Sequence, residues 1–324
     1  MMIPPQHSIT PVLLNLLSQI ESLRLYADKN NLNEQVSNTL RRNSFLRSSL
    51  YSARIEGNKL SEITMQEESS DSQTREIINI MKTLEFIDNA RFTQIDHTLI
   101  RAIHSMIGAH LFPDRGTYRR EVSGIFNRAG IIVYMPPPPT QIMNLLSSLI
   151  LYINNENSFP LISAFIAHLV FEKIHPFLDG NGRVGRALIF AVLTCKKYTS
   201  HFPVTIEEYL DAHREEYYDA LLNGISNTEK YLEFMLKAYL KQMENTIQKL
   251  EQQSQKDPII LELTARQEEI YIIVREHRSV TLNFITRRFL KVPERTLRND
   301  LSKLIEKKLV VKVGSTKGVE YRVK

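Results

Sequence analysis

The stretch "HPFLDGNGRVGR", His175 to Arg186, decides the fold of this chain. It combines a histidine, an acid, an asparagine, three glycines and two arginines. Apolar residues recur at helical spacing before it, in "LISAFIAHLVFEKI", and after it, in "ALIFAVLTC". Pro176 ends the first helix because proline disfavours helical geometry in the preceding residue and lacks an N–H. We therefore expect two helices joined by a glycine-rich turn.

This turn predicts an anion-binding site. A glycine-rich turn that enters a helix presents backbone N–H groups and the positive end of the helix dipole. Arg183 and Arg186 share one face of the first helical turn, where positive charge opposes the dipole at about 0.3–1 kcal/mol each. Two such arginines need an anionic partner, and a polyphosphate would supply it. The spacing Gly180-x-Gly182-x-x-Gly185 also fits the dinucleotide fingerprint, but that fingerprint requires a preceding strand, and here a helix precedes.

The pattern His175-x-Phe177-x-Asp179-Gly180-Asn181-Gly182-Arg183-x-x-Arg186 resembles the signature of the Fic (Fic/Doc) family at every defining position. The resemblance runs from about Ile95 to Tyr239 and includes "GTYRREVSGIF", "YMPPPP" and "REEYYDALL". Enzymes of that family transfer AMP from ATP to a hydroxyl side chain of a protein. The resemblance implies a mainly α fold, with a Fic helical core and one β-hairpin flap, and a C-terminal winged helix-turn-helix domain is expected beyond it.

The resemblance also implies a role for each motif residue. His175 would be the general base that takes the proton from a Ser, Thr or Tyr hydroxyl of the target, a task that suits an imidazole. Asp179 would hold Mg²⁺ between the α- and β-phosphates, and Phe177 would be a packing anchor. Arg183 would bind the phosphates and Arg186 the γ-phosphate. The expected ATP-binding residues are Gly180, Asn181, Gly182, Arg183, Val184, Gly185, Arg186 and Tyr218; whether Tyr217 and Tyr218 line the nucleoside pocket or belong to the core stays open.

A second stretch, "SSLYSARIEGNKL", predicts a helix that ends at Gly57 and Asn58, both suited to a left-handed C-cap. Ser52 and Glu56 project from one face of that helix. A glutamate in the last turn opposes the helix dipole, which suggests a cation from elsewhere in the chain. Ser52-x-x-x-Glu56-Gly57 is similar to the inhibitory-helix motif of Fic proteins, which implies that Glu56 pairs with Arg186 and displaces the γ-phosphate.

The domain organisation follows from these segments and their composition. We expect an N-terminal helical region with the inhibitory helix over residues 1–94, a Fic catalytic core over 95–250, a polar linker over 251–260 and a winged helix domain over 261–324. Within the core, β-prone runs around Ile125 and from Ile131 to Tyr134 flank the turn signal "NRAG" and predict one hairpin. Residues 122–135 would take up a segment of the target protein by main-chain pairing.

The basic charge of the chain lies at its C-terminal end. Residues 263–324 carry 15 basic and 7 acidic side chains, a net charge of +8, and the remaining residues carry a net charge of −3. The third helix of the expected winged helix would present Arg295, Thr296, Arg298 and Asn299 to a DNA major groove. Against this, Glu294, Asp300 and Glu306 interrupt the basic face of that helix. Dimerisation, with the chain as a homodimer, and regulation are the alternatives.

Three further observations concern location and metal binding. The single cysteine, Cys195, lies in an apolar run and is predicted to be a buried small hydrophobe, so no disulfide is expected. The apolar N-terminal run "PVLLNLLSQI" is shorter than a membrane span and lacks a preceding basic region. We therefore expect a cytoplasmic protein that does not enter a membrane. His168 could pair with His175 as a metal ligand, but a packed histidine is the preferred interpretation.

Three functions are compatible with the sequence. The first is a protein adenylyltransferase whose activity is kept low by Glu56, with ATP and Mg²⁺ as co-substrates. The second is a winged-helix DNA-binding regulator whose Fic core senses nucleotide. The third is a Fic enzyme that transfers another phosphate-containing group or removes AMP. The complete set of motif residues favours the first.

Overall fold

The computed structural model of the chain describes residues 2–29, 34–60, 72–90, 92–126, 130–155, 158–199, 203–254, 263–289, 292–314 and 319–324. These residues are mainly helical, which confirms the predicted fold class. They fall into two compact units. The first comprises Met1–Leu32, Leu40–Lys59 and Asp71–Ile247, and the second includes Gln248–Lys324.

The described residues up to 254 form helices and one short hairpin. The helices are α1 (Pro11–Lys29), α2 (Glu34–Ile55), α3 (Ser72–Asn89), α4 (His97–Ile107), α5 (Pro139–Ile153), α6 (Pro160–Ile174), α7 (Asn181–Cys195), α8 (Ile206–Ala212), α9 (Arg214–Asn223) and α10 (Thr228–Ser254). The hairpin strands are β1 (Ile125–Phe126) and β2 (Ile132–Tyr134).

Helix α6 is the centre of the first unit. Every residue from Leu161 to Ile174 is buried, as expected of a helix whose sequence is apolar on all sides. Pro160 occupies its first turn, where the missing N–H costs nothing. His175 ends the helix in the left-handed conformation, with φ 49° and ψ 61°. Helix α7 packs along α6, so the turn between them is held by the core on both sides.

The predicted hairpin is present. Ile125 pairs with Tyr134 and Phe126 with Ile132 in an antiparallel ladder. Ile131 and Ile132 are exposed. Three of the four predicted turn residues, 127–129, lie outside the described residues. We call residues 122–135 the flap.

Two sequence predictions in this part of the chain need correction. Helix α10 continues to Ser254 rather than ending near Leu250, so it takes in the first part of the predicted linker; residues 255–260 lie outside the described ranges. Cys195 is only partly buried because it lies in the last turn of α7, where its thiol donates to the carbonyl of Thr93 at 3.0 Å. Partial burial still raises the pKa of that thiol.

The C-terminal unit has its own core. Its elements are α11 (Ala265–His277), β3 (Val280–Thr281), α12 (Leu282–Arg288), α13 (Glu294–Glu306), β4 (Val310–Val313) and β5 (Glu320–Val323). The strands form an antiparallel sheet in the order β3-β5-β4. Ile270, Phe284, Leu297, Leu301 and Tyr321 are buried between helices and sheet. The order of three helices and two strands is the one the sequence predicted, with β3 as an addition; the winged helix assignment stays a prediction.

Within the part of the chain that the structure describes, no helix combines the length and the apolar character needed to cross a membrane.

Candidate active site

The turn between α6 and α7, which we call the motif turn, is closed by the side chain of Asn181. Its Oδ1 accepts from the Phe177 amide and its Nδ2 donates to the Phe177 carbonyl, both at 2.9 Å. The side chain is buried. Asn181 therefore fixes the start of α7 with its side chain, and only its backbone remains for the anion site that the sequence predicted.

Gly180 allows the chain to turn into α7. Its φ of +78° lies in the left-handed region, and a Cβ there would come within 2.6 Å of the Phe112 ring. A side chain at this position would be strained and would collide with that ring. The Oδ1 atom of the adjacent Asp179 accepts a hydrogen bond from the Gly180 amide at 2.5 Å.

The two other motif glycines allow side chains to approach α7 closely. A Cβ on Gly182 would lie 2.2 Å from Glu56 Oε1, and a Cβ on Gly185 would lie 2.1 Å from Glu172 Oε1. The first contact places the Glu56 carboxylate against the N-terminal turn of α7, where the sequence predicts an anion. The second belongs to the core side of the helix. Val184 is also in the core, and its amide donates to the Gly180 carbonyl at 3.0 Å.

His175 is held by its own backbone. Its amide donates to the Phe171 carbonyl at 2.9 Å, and its carbonyl accepts from Arg119 Nε at 2.8 Å. Burial lowers the pKa of the imidazole to about 4. His175 is therefore neutral at physiological pH, which is the protonation state that a general base needs.

His104 on α4 supports the motif turn, a role that sequence reasoning missed. Its ring stacks on Phe177, with centroids 3.7 Å apart and planes 2° apart. The Gly116 amide donates to Nδ1 at 2.7 Å, so the proton sits on Nε2, which donates to the Asp179 carbonyl at 3.1 Å. Burial lowers the pKa of His104 to about 4, which keeps this tautomer neutral. Phe177 is fully buried, which confirms its prediction as a packing anchor.

Arg119 joins the flap to the motif turn. This buried guanidinium donates to the carbonyls of Glu121 at 2.8 Å and Pro137 at 2.6 Å, one just before and one just after the flap. It also holds the carbonyl of His175. The sequence stretch "GTYRREVSGIF" contains Arg119, but its spacing gave no sign of this role. One side chain thus ties the flap to the predicted base.

Arg186 is paired with the helix that the sequence predicted to be inhibitory. Its Nη2 donates to Glu56 Oε1 at 2.9 Å and to the Ser52 carbonyl at 2.9 Å, and its Nε donates to Ser52 Oγ at 2.9 Å. Only 1% of the Arg186 side chain is exposed. Burial alone would raise the pKa of Glu56, but Arg186 lowers it below its usual value. The predicted contact is present, and Gly57 has the predicted left-handed φ, +103°.

Arg183 is paired as well, on a different side of the motif. Its Nη2 donates to Asp179 Oδ1 at 2.8 Å, and its Nη1 donates to Glu76 of α3. Sequence reasoning did not identify Glu76. Arg183 and Arg186 were predicted to need anionic partners at the start of α7, and carboxylates of the chain itself are those partners here.

The carboxylate of Asp179 suits the predicted Mg²⁺. It is 65% exposed beside Arg183 at the start of α7. Among the described residues, no group of three or more His, Cys, Asp or Glu side chains is arranged to hold a metal ion. A cation at Asp179 would therefore take its other ligands from phosphates and water, which is how Mg²⁺ is commonly bound beside nucleotides.

Behind Arg186 lies a buried polar cluster on α6 and α9. His168 Nε2 and the Tyr217 hydroxyl are 2.7 Å apart, which confirms His168 as a packed histidine. Tyr217 is in the core, whereas Tyr218 is 45% exposed and donates to the Ile55 carbonyl at 3.1 Å. Tyr218 thus lies at the end of α2, next to Glu56. Glu172 is buried here too, and burial raises its pKa to about 8.

The fold defines the class of protein. A crystal structure of a Fic family protein from Desulfovibrio desulfuricans G20 superposes with a TM-score of 0.66, at 22% identity, over 99% of this chain and 98% of that one. A Fic-1 fragment from C. elegans has a TM-score of 0.62 at 20% identity over 74% of this chain and 73% of that one. The chain has the Fic fold.

The sequence comparisons agree with the fold. Residues 94–193 match the family model of the Fic/DOC family. The matched range contains the motif turn, α4 to α6 and most of α7.

Two curated relatives share part of this region. A probable protein adenylyltransferase of Aquifex aeolicus is 39% identical over 83 residues, which is 25% of this chain and 26% of that protein. The protein adenylyltransferase Fic of Culex quinquefasciatus is 31% identical over 160 residues, 47% of this chain and 29% of that protein. The chain thus matches less than a third of the length of these relatives.

Proposed function

We propose that this chain is a protein adenylyltransferase whose activity Glu56 restrains. The observation that carries the proposal is the neutral, partly buried His175 at the start of a motif turn that leads directly into the two arginines. Both arginines are occupied by carboxylates, which are anions of the kind that a phosphate would replace. The relatives named as protein adenylyltransferases support this reaction.

In this reaction the hydroxyl oxygen of the target attacks the α-phosphorus of ATP. The bond from that phosphorus to the bridging oxygen of pyrophosphate breaks, and the hydroxyl proton passes to His175. Arg183 and Arg186 bind the phosphates, with Arg186 on the γ-phosphate. Mg²⁺ held by Asp179 supplies charge neutralisation when it is bound. Tyr218 of α9 contacts the nucleoside from its position beside the end of α2.

Glu56 opposes this arrangement because it occupies Arg186. Its carboxylate lies at the N-terminal turn of α7 and carries the charge that the γ-phosphate would bring. ATP then binds without its γ-phosphate on Arg186, so the α-phosphate is not presented to the incoming hydroxyl. Ser52 holds the same guanidinium from α2.

The experiment that tests this function is label transfer from α-labelled ATP with Mg²⁺ to protein, including the chain itself. Glu56→Gly should raise labelling by about tenfold or more, because it frees one charged contact for the γ-phosphate. His175→Ala in the Glu56→Gly background should abolish labelling while ATP binding, measured by calorimetry, persists. Equal labelling in the wild type and a folded Glu56→Gly variant would contradict restraint by Glu56.

The same assay separates the remaining functions within the family. Mass spectrometry of labelled protein distinguishes AMP from another phosphate-containing group. Incubating AMP-modified protein with the chain shows whether AMP is removed. The target protein would dock on the flap, whose exposed Ile132 lies on a short two-stranded ladder that a third strand can extend.

DNA binding by residues 261–324 is a second candidate function, and one observation favours it. The face of α13 that carries Arg295 is less interrupted than its sequence suggests, because Asp300 is buried and paired with Arg266. Formation of a homodimer and a cytoplasmic location rest on the sequence arguments alone.

A further inference from the structure

Glu76 is a second carboxylate at the anion site, and it lies outside the inhibitory motif. It stands on α3, and its Oε1 accepts from Arg183 Nη1. Both side chains are largely buried, with 13% of Glu76 and 9% of Arg183 exposed. Ion pairs shielded from water in this way interact more strongly than surface pairs.

The other oxygen of Glu76 is also held. Asn58 Nδ2 donates to Glu76 Oε2 at 2.8 Å and to the Gln73 carbonyl at 3.0 Å. Asn58 directly follows Glu56 and Gly57, the two residues that come after the last residue of α2. The residues that terminate the Glu56 helix therefore also fix the carboxylate that binds Arg183.

Glu56 and Glu76 divide the two arginines between them. Glu56 binds Arg186 and Glu76 binds Arg183, which Asp179 also contacts. Three carboxylates thus face two guanidinium groups at the N-terminal end of α7. A polyphosphate that enters this site meets cations that are already neutralised, and removal of Glu56 leaves one of them still paired.

We propose that Glu76 is a second competitor for phosphate, which occupies Arg183 at the subsite for the diphosphate part of a nucleotide. This proposal rests on the proposed function for the identity of the ligand. The two carboxylates then differ in their effect. Glu56 excludes the γ-phosphate, whereas Glu76 weakens binding of every nucleotide that carries α- and β-phosphates.

The competing explanation is that Glu76 positions Arg183 for its ligand. The two roles predict opposite effects. Removing a competitor strengthens binding of ADP, whereas removing a positioning group weakens it.

The test is calorimetric titration of the full chain with ADP and with ATP, each with Mg²⁺. Glu76→Gln should tighten ADP and ATP binding alike, by about fivefold or more, the usual scale of coupling between two sites. Glu56→Gln should tighten ATP binding more than ADP binding. Glu85→Gln is the matched control, because it removes the same charge from the same helix and should leave both affinities unchanged.

Glu76→Asp gives an independent measure should Glu76→Gln fail to fold. It keeps the charge but shortens the side chain by one methylene group, so its carboxylate no longer reaches Arg183, and it should also tighten ADP binding. Unchanged or weaker ADP binding in folded Glu76 variants would overturn the proposal. Absence of ADP and ATP binding in every variant, wild type included, would instead overturn the proposed nucleotide function.

Discussion

The carboxyl group of Glu172 faces Gly185 and His168 in the core, and its Oε1 has no hydrogen-bond partner among the described residues. Burial raises its pKa to about 8 in the folded chain, against about 4.3 for an exposed glutamate. The folded state therefore holds a proton that the unfolded state has lost between these values, so this group makes the chain less stable as pH rises from about 4.3 to 8.

Glu172→Gln removes that dependence because glutamine resembles the protonated acid and does not ionise. We expect the free energy of unfolding of the variant to exceed that of the wild type increasingly from pH 5 to pH 8. Urea unfolding at several pH values measures it, with exposed Glu216→Gln as the control. A difference between variant and wild type that does not change with pH would contradict the burial of an acid with a raised pKa.

The imidazole of His175 permits a direct titration. Because burial lowers its pKa to about 4, it should stay neutral through the range where an exposed histidine protonates, near pH 6.5. Nitrogen NMR of the nucleotide-free chain labelled in histidine measures this, with assignment by His175→Ala. A midpoint near 6.5 would contradict it. The base should therefore keep its proton-accepting form at mildly acidic pH.

At the scale of single residues, the sequence identified the groups that define the motif but not those that support it. His175, Glu56 and Arg186 could be predicted because their residue types and spacing repeat a known signature. Glu76 lies 107 residues from Arg183 along the chain, and nothing in its local sequence distinguishes it from a surface glutamate. His104 and Arg119 make their hydrogen bonds to backbone groups, and no pattern of side chains reveals such contacts.

At the scale of elements, the strongest periodic signals were reliable. The runs that predict α6 and α7 form those helices, and their junction falls at Pro176 as expected. The end of α10 was misplaced because polar residues continue a helix as readily as they begin a linker. Strand β3 has only two residues, too few for an alternating pattern, and it exists because Val280 pairs with Tyr321.

The flap allows a prediction about target binding. Ile132 lies on β2, and proline at this position removes an N–H and resists ladder formation. Ile132→Pro should therefore reduce label transfer to protein targets by about tenfold or more while ATP binding changes little. Ile132→Ala is the matched control, because it trims the apolar side chain and keeps the N–H. Equal loss of target labelling and of ATP binding in the proline variant would show that the flap only supports the fold.

At the scale of the whole molecule, the basic charge is concentrated at the C-terminal end, where residues 263–324 carry a net charge of +8. Sequence alone suggested that Glu294, Asp300 and Glu306 interrupt the basic side of α13. Asp300 does not lie on that side in the structure, because it is buried and its carboxylate contacts Arg266 and Gln267. Glu294 remains and pairs with Arg298 at 2.6 Å.

Arg295 and Lys303 are therefore the exposed cations of α13 best placed to meet a phosphate backbone. We expect the full chain to bind mixed-sequence duplex DNA weakly at low salt, and the affinity to fall steeply with added salt as counterions are released. The double variant Arg295→Ala, Lys303→Ala should reduce the magnitude of the slope of log affinity against log salt concentration by nearly two, because each cation neutralises about one phosphate. Fluorescence anisotropy at several salt concentrations measures both quantities.

Lys237→Ala with Lys241→Ala removes two exposed charges from α10 and is the matched control. Equal losses in the two double variants would indicate attraction by net charge alone, and no binding at low salt would leave target recruitment or dimerisation as the function of these residues.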